Sequence, residues 1–75
     1  MRRKGDVNIG RRAYAVVNTM FHEMSEPQIA KMIGCDKRTI YAWRDGETPS
    51  GIFLQRLAWL GADIDWILTG RRKNQ

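Results

Sequence analysis

Between Glu26 and Asp45 the side-chain sizes follow a schedule suited to two short helices in steep contact. Counting Glu26 as the first position, the fifth is Ala30 and the ninth is Gly34. Apolar side chains hold the fourth, eighth, tenth, fifteenth and eighteenth positions, as Ile29, Ile33, Cys35, Ile40 and Trp43. Helices that cross steeply need a side chain no larger than a methyl at the crossing, which Ala30 supplies. The chain must then reverse within about three or four residues. Glycine accepts the positive φ of such a turn without penalty, so Gly34 marks it. The other apolar residues lock the second helix against the first and against the rest of the domain. On that second helix Lys37, Arg38, Tyr41, Ala42 and Arg44 are expected to stay exposed.

Apolar periodicity supplies the remaining elements. Ala13, Val16, Val17, Met20, Phe21 and Met24 recur at helical steps and predict a first helix from about Ile9 to Glu23, with Asn8 as its N-cap. Ser25-Glu26-Pro27-Gln28 is a capping box, flanked by Met24 and Ile29 at the staple positions. Asp36 caps the third helix, which stops before Gly46. The segment Gly46-Glu47-Thr48-Pro49-Ser50 reads as a loop. A fourth helix follows from about Ser50 to Leu60, with Phe53, Leu54, Leu57 and Ala58 facing inward, and Gly61 ends it. Asp63 caps a short fifth helix closed by Gly70. The expected fold is all-α: one compact five-helix domain over residues 9–70, with a basic arm at 1–8 and a basic tail at 71–75.

Charge narrows the partners. The formal +5 resides at the ends. Residues 1–6 carry Arg2, Arg3 and Lys4 against Asp6, residues 71–75 carry Arg71, Arg72 and Lys73, and the body between them balances to zero. Basic ends on a compact body suit a polyanion such as nucleic acid, or simply keep a small chain soluble. No run of about 18 apolar residues is present, so no membrane span is expected. A single cysteine rules out an internal disulfide and fits a reducing compartment, which points to the cytoplasm.

Catalysis finds no foothold. His22 and Cys35 are the sole histidine and cysteine, without a second metal ligand at usable spacing. Asp63 and Asp65 stand at a helix start, where acids stabilise the dipole. No cofactor and no small-molecule effector is indicated.

Taken in order, Ile29-Ala30, Gly34, Thr39 to Gly46, Pro49, Leu57-Ala58 and Leu60 to Gly70 resemble the Cro/CI-type (XRE-like) helix-turn-helix family. The recognition helix with its tryptophan and the ending Asp65-Trp66-Ile67-Leu68-Thr69-Gly70 are most similar to the DNA-binding domain of phage CI-type repressors. The resemblance implies a lambda-repressor-like five-helix fold, a repressor role and dimeric binding to a two-fold operator. It also implies base reading from the start of the third helix, here Asp36, Lys37, Arg38, Tyr41 and Ala42. Two positions depart from the family pattern. Many members carry a phosphate-binding glutamine where this chain has Glu26, which repels phosphate unless it is paired or turned away. Ala42 stands where a longer polar reader is common, and its methyl can touch only a thymine methyl.

With the third helix in a major groove, Arg38 can bridge guanine O6 and N7, a contact worth roughly 1–3 kcal/mol of discrimination. Lys37 suits a base or a phosphate, and Tyr41 suits a thymine methyl, a phosphate or partial packing. Phosphate contacts are expected from Ser25, Gln28, Thr39, Arg44 and Thr48, with Arg11 and Arg12 able to reach the backbone or to serve as surface charge. Arg44 has a second option in pairing with Asp45 or Glu47. Trp43 is expected in the core. Trp59 is expected to stand to one side of its helix and, with Trp66 and Ile67, to form a dimer interface, or else to cover the core edge. The first functional expectation is a sequence-specific repressor on a double-stranded DNA operator. The alternatives are a protein-binding adaptor or inhibitor on the same fold, or the DNA-binding part of a larger phage repressor.

Overall fold

Caps set the limits of most helices in this chain. The computed structural model describes residues 8–71, and within them five helices follow in order: α1 Asn8–Met20, α2 Glu26–Ile33, α3 Lys37–Arg44, α4 Gly51–Trp59 and α5 Ile64–Thr69. The expected contributions of Arg2, Arg3, Lys4, Arg72 and Lys73 lie outside the described residues. Ser25 accepts from the Gln28 amide while Gln28 reaches back to the Ser25 amide, completing the capping box. Asp36, Ser50 and Asp63 cap α3, α4 and α5 through Arg38, Phe53 and Trp66 amides. At the end of α2, Gly34 takes φ +89°, a left-handed conformation that costs any larger residue steric strain.

Two boundary expectations and one burial expectation change. Asn8 is the first residue of α1, where it was expected just before the helix. The first helix stops at Met20, three residues early, because the chain must reverse before the extended Ser25 cap. A turn closed by the Met24 amide on the Phe21 carbonyl (2.9 Å) makes that reversal while Phe21 and Met24 still pack on the core. Ala58 is exposed, although it was expected inside. Leu57 is the fully buried residue of α4, and Ala58, 100° further round the helix, points off the core.

The core forms around α1, which packs on α3 and α5, while α2 packs on α3 and α4. Ala13, Val17, Ile29, Ile40, Leu57 and Ile67 are fully enclosed, and Ala30, Ile33 and Trp43 nearly so. Trp43 tilts against Phe53 at 6.2 Å between ring centroids, a favourable edge-on aromatic arrangement. Gly10 is buried where α1 meets the end of α3. A Cβ there would lie 2.1 Å from the Glu47 carbonyl oxygen and 2.9 Å from that of Trp43. Nothing larger than hydrogen fits, so Gly10 sets how closely α1 supports α3.

Two arginines close helix ends from a distance. Arg56 Nη1 donates to the carbonyls of Ile33 (3.2 Å) and Gly34 (3.3 Å) at the end of α2. Arg12 donates through Nε to the Ile67 carbonyl (2.8 Å) and through Nη2 to Leu68 (3.3 Å) at the end of α5. Both meet the partial negative charge of a helix carboxyl end.

Candidate nucleic-acid interface

The amino end of α3 is the most distinctive polar surface of the described chain. The α2 cap, the Gly34 turn and the buried pair Ile40 and Trp43 hold this helix from behind. Its outer side therefore carries what the core cannot use. Lys37 and Arg38 are exposed in the first turn, and no acidic residue accompanies them there. Cations at a helix amino end oppose the macrodipole, by a few tenths of a kcal/mol each in exposed settings. That local conflict marks the site, because side chains placed against their own helix point to a role outside folding.

Asp36 offsets part of the conflict. Its carboxylate accepts from the Arg38 amide at 2.8 Å and lies 3.5 Å from the Arg38 guanidinium. The amide bond first, and the guanidinium second, hold the Asp36 carboxyl below its ordinary range. Expected among the base readers, Asp36 is thus engaged as the cap of the helix. The pair with Arg38 is well exposed, and such pairs exchange readily for a stronger anion.

The other expected readers are less open. Tyr41 and Ala42 are half-buried, where full exposure was expected. A separate polar contact forms at the start of α2. There the Glu26 carboxylate accepts a short hydrogen bond from the Tyr14 hydroxyl of α1 (2.6 Å). Glu26 raises the pKa of Tyr14, chiefly through that hydrogen bond, and its carboxylate raises that of Tyr41 as well. The Arg44 guanidinium sits 4.9 Å from the centre of the Tyr41 ring, a cation–π distance. Arg44 also lies 3.5 Å from Asp45, one of the two acids expected to pair with it. Glu26 is therefore paired, which answers the repulsion that an isolated carboxylate would present to phosphate. Twelve residues separate Tyr14 from Glu26, so no local spacing announces the contact.

The expected phosphate contacts divide into three groups. Ser25 and Gln28 are exposed beside the start of α2, but the cap uses the Ser25 hydroxyl on both sides and Gln28 Oε1, leaving the Gln28 Nε2 donors outside it. Thr48 and Arg11 are exposed, and Thr39 is half-buried. Arg12 is withdrawn, because its guanidinium is occupied on α5 and half-buried there. Cys35 is half-buried against the core, and burial pushes its thiol up, as suits a packing residue.

The three residues expected at a dimer interface do not share one surface. Ile67 is fully enclosed by its own chain, so it cannot meet a partner. Trp66 lines a crevice beside α1 with Ala15, Val16, Met20 and Gly61. Trp59 remains 74% exposed and borders a separate groove formed by Met32, Ile33, Gly34, Arg56 and Leu60. Ile52, 60% exposed, falls on the same stripe of α4, seven residues earlier.

Among the described residues no group of three His, Cys, Asp or Glu side chains could hold a metal ion, and no helix is long and apolar enough to cross a membrane. No family model, curated protein or solved structure matches the chain.

Proposed function

We propose that this chain is a sequence-specific DNA-binding transcriptional regulator, a repressor of the Cro/CI type with a lambda-repressor-like helix-turn-helix fold. Its target is a double-stranded operator, and it performs no catalysis. The observation that carries this reading is the exposure of Lys37 and Arg38 at the amino end of a helix whose dipole disfavours them. A polyanion removes the conflict, and a base edge with two acceptors suits the Arg38 fork. In this reading α3 enters the major groove with Lys37 and Arg38 leading. Gln28, Thr48 and Arg11 contact the backbone on either side, and repression follows from occupying a promoter in the cytoplasm.

Two-fold operators call for two copies with half-sites one helical turn, about 34 Å, apart. Of the expected dimer residues Trp59 is the one positioned for this role, since a protruding ring beside a groove is self-complementary across a two-fold axis. The same exposed ring supports a second reading, in which the domain is an adaptor that captures a protein through Trp59 and Ile52.

Selection of bound sites from random duplex DNA separates the two. The regulator enriches a pseudo-palindrome, and Lys37→Ala or Arg38→Ala lowers its binding with the helical content unchanged. An absence of enrichment, with Trp59→Ala abolishing capture of a protein partner, would establish the adaptor instead. Sedimentation across a concentration series, with and without the selected duplex, tests the dimer. Monomer alone at the highest concentration in both conditions rejects it.

A further inference from the structure

The sequence alone groups Tyr41 with the base readers, but its surroundings fit another task. Glu26 raises its pKa, and Glu26 itself accepts a 2.6 Å hydrogen bond from the hydroxyl of Tyr14. The carboxylate thus ties α1, through Tyr14, to the first residue of α2, and its influence extends to Tyr41 of α3. Tyr41 stands one turn beyond Lys37 and Arg38 on α3, and unlike them it is half-buried. The outward asset of Tyr41 is then its ring, and Arg44 lies over that ring.

Arg44 is about half exposed, and its contact with Asp45 is a single exposed approach of 3.5 Å. An ion pair of that kind contributes little in water, so it does not hold the guanidinium against a phosphate. The aromatic face does more, because it supports the planar cation from one side while leaving its N–H edge free of the ring. Positive charge from Arg44 also reaches both tyrosines, since it favours their ionised forms. Glu26 consequently has one phenol donor, Tyr14, with the Arg44 charge felt nearby, and its negative charge is partly offset before any phosphate approaches.

We infer that Tyr41 is a positioning residue and not a base reader: half-buried on α3, it presents its ring as the seat that holds Arg44 for one backbone phosphate. Base choice then falls to Lys37 and Arg38 alone. The inference rests on the DNA-reading proposal above, and its test is arranged so that the two can fail separately.

The full chain and a duplex carrying the selected site are used, with affinity measured across salt concentrations and base preference measured at every position. Neutralising one phosphate contact changes the slope of log affinity against log salt by about 0.9. Arg44→Ala is expected to reduce the slope by that amount with the base preference unchanged. Tyr41→Leu, which removes the ring, is expected to do the same, and the double variant is expected to lose no more than either single one. Tyr41→Phe keeps the ring and is expected to keep the base preference. A changed preference at any base position in Tyr41→Phe or Tyr41→Leu makes Tyr41 a reader and overturns the inference. So does an unchanged slope in Arg44→Ala.

The clamp has its own readout without DNA. Tyr14 and Tyr41 are the only tyrosines, so tyrosinate absorbance during an alkaline titration reports on this cluster and nothing else. Both should ionise above the ordinary tyrosine range of about 10, and Glu26→Gln should bring them back toward it. An unaltered titration in Glu26→Gln overturns the clamp. If the unaltered chain enriches no duplex, the phosphate role falls together with the DNA-reading proposal, and the titration still decides the clamp.

Discussion

Arginine serves opposite purposes at the two kinds of helix end in this molecule. At the carboxyl ends of α2 and α5, Arg56 and Arg12 donate to backbone carbonyls that would otherwise lack helix partners. At the amino end of α3, Arg38 stands in solvent with Lys37, where the helix offers them only the Asp36 cap. The side chain and the charge are the same, and the direction of the helix decides the outcome. A cation at a carboxyl end is absorbed by the fold, whereas one at an amino end is left for an external anion. Counting basic residues therefore overstates the surface available to DNA, and locating them on their helices corrects it.

The strongest way to break this contrast is to remove the leading cations. The double variant Lys37→Ala, Arg38→Ala is expected to weaken binding to the selected duplex by roughly 3 kcal/mol, about a hundredfold or more. Its thermal midpoint should hold or rise slightly, because the dipole conflict disappears. A marked drop in that midpoint would instead make these residues part of the scaffold.

Next in size is Gly10→Ala, which attacks the support of α3 rather than its surface. The new Cβ meets two backbone carbonyls that cannot rotate away, and a loss of about 3 kcal/mol in urea unfolding is expected. Duplex binding should fall with it, since α3 loses its seat. Full stability in this variant would show that α1 and the α3–α4 junction can separate at little cost.

Arg56→Ala should cost about 2 kcal/mol, as it releases two carbonyls and the contact 5.5 Å above the Phe53 ring. Arg12→Ala should cost less, about 1 kcal/mol, at the short α5. Folded protein of either variant is expected to bind duplex with the parent salt slope. A reduced slope for Arg12→Ala would return that residue to the phosphate contacts.

The smallest effect is a dependence on pH. The Asp36 carboxyl titrates below its ordinary range when folded, so its contribution to stability is present above that range and is lost as pH falls through the lowered value. The tyrosines act in the opposite sense. Their raised pKa values stabilise the fold below the ordinary tyrosine range, and this is lost as pH rises through the raised values. Thermal midpoints across pH should therefore decline at both extremes, and Asp36→Asn should flatten the acid side only.

Much of this architecture was legible in one dimension. Ala30, Gly34, Ile40 and Trp43 are local steric requirements of a steep helix crossing, and Ser25, Asp36 and Asp63 satisfy amide donors within three residues of themselves, whereas Ser50, expected inside α4, turns out to cap it. Such interactions leave a trace in spacing. The misplacements share a different origin. Arg12 meets its carbonyls 55 and 56 residues away and Arg56 meets its own 22 and 23 residues away, so nothing in the local pattern separates them from surface cations. Ile67 and Trp66 are adjacent in a short helix, and only the position of α1 buries one and leaves the other at a crevice.

The order of residues alone determined five helices, the caps of α2, α3 and α5, the small-residue crossing and the cations heading α3, because periodicity, turns and caps act over a few residues. Which arginines the fold takes up, how far Tyr41 is covered and which tryptophan stays bare were decided in three dimensions. Those outcomes depend on partners that only the packing of α1 against α3 and α5, and of α2 against α4, brings within reach.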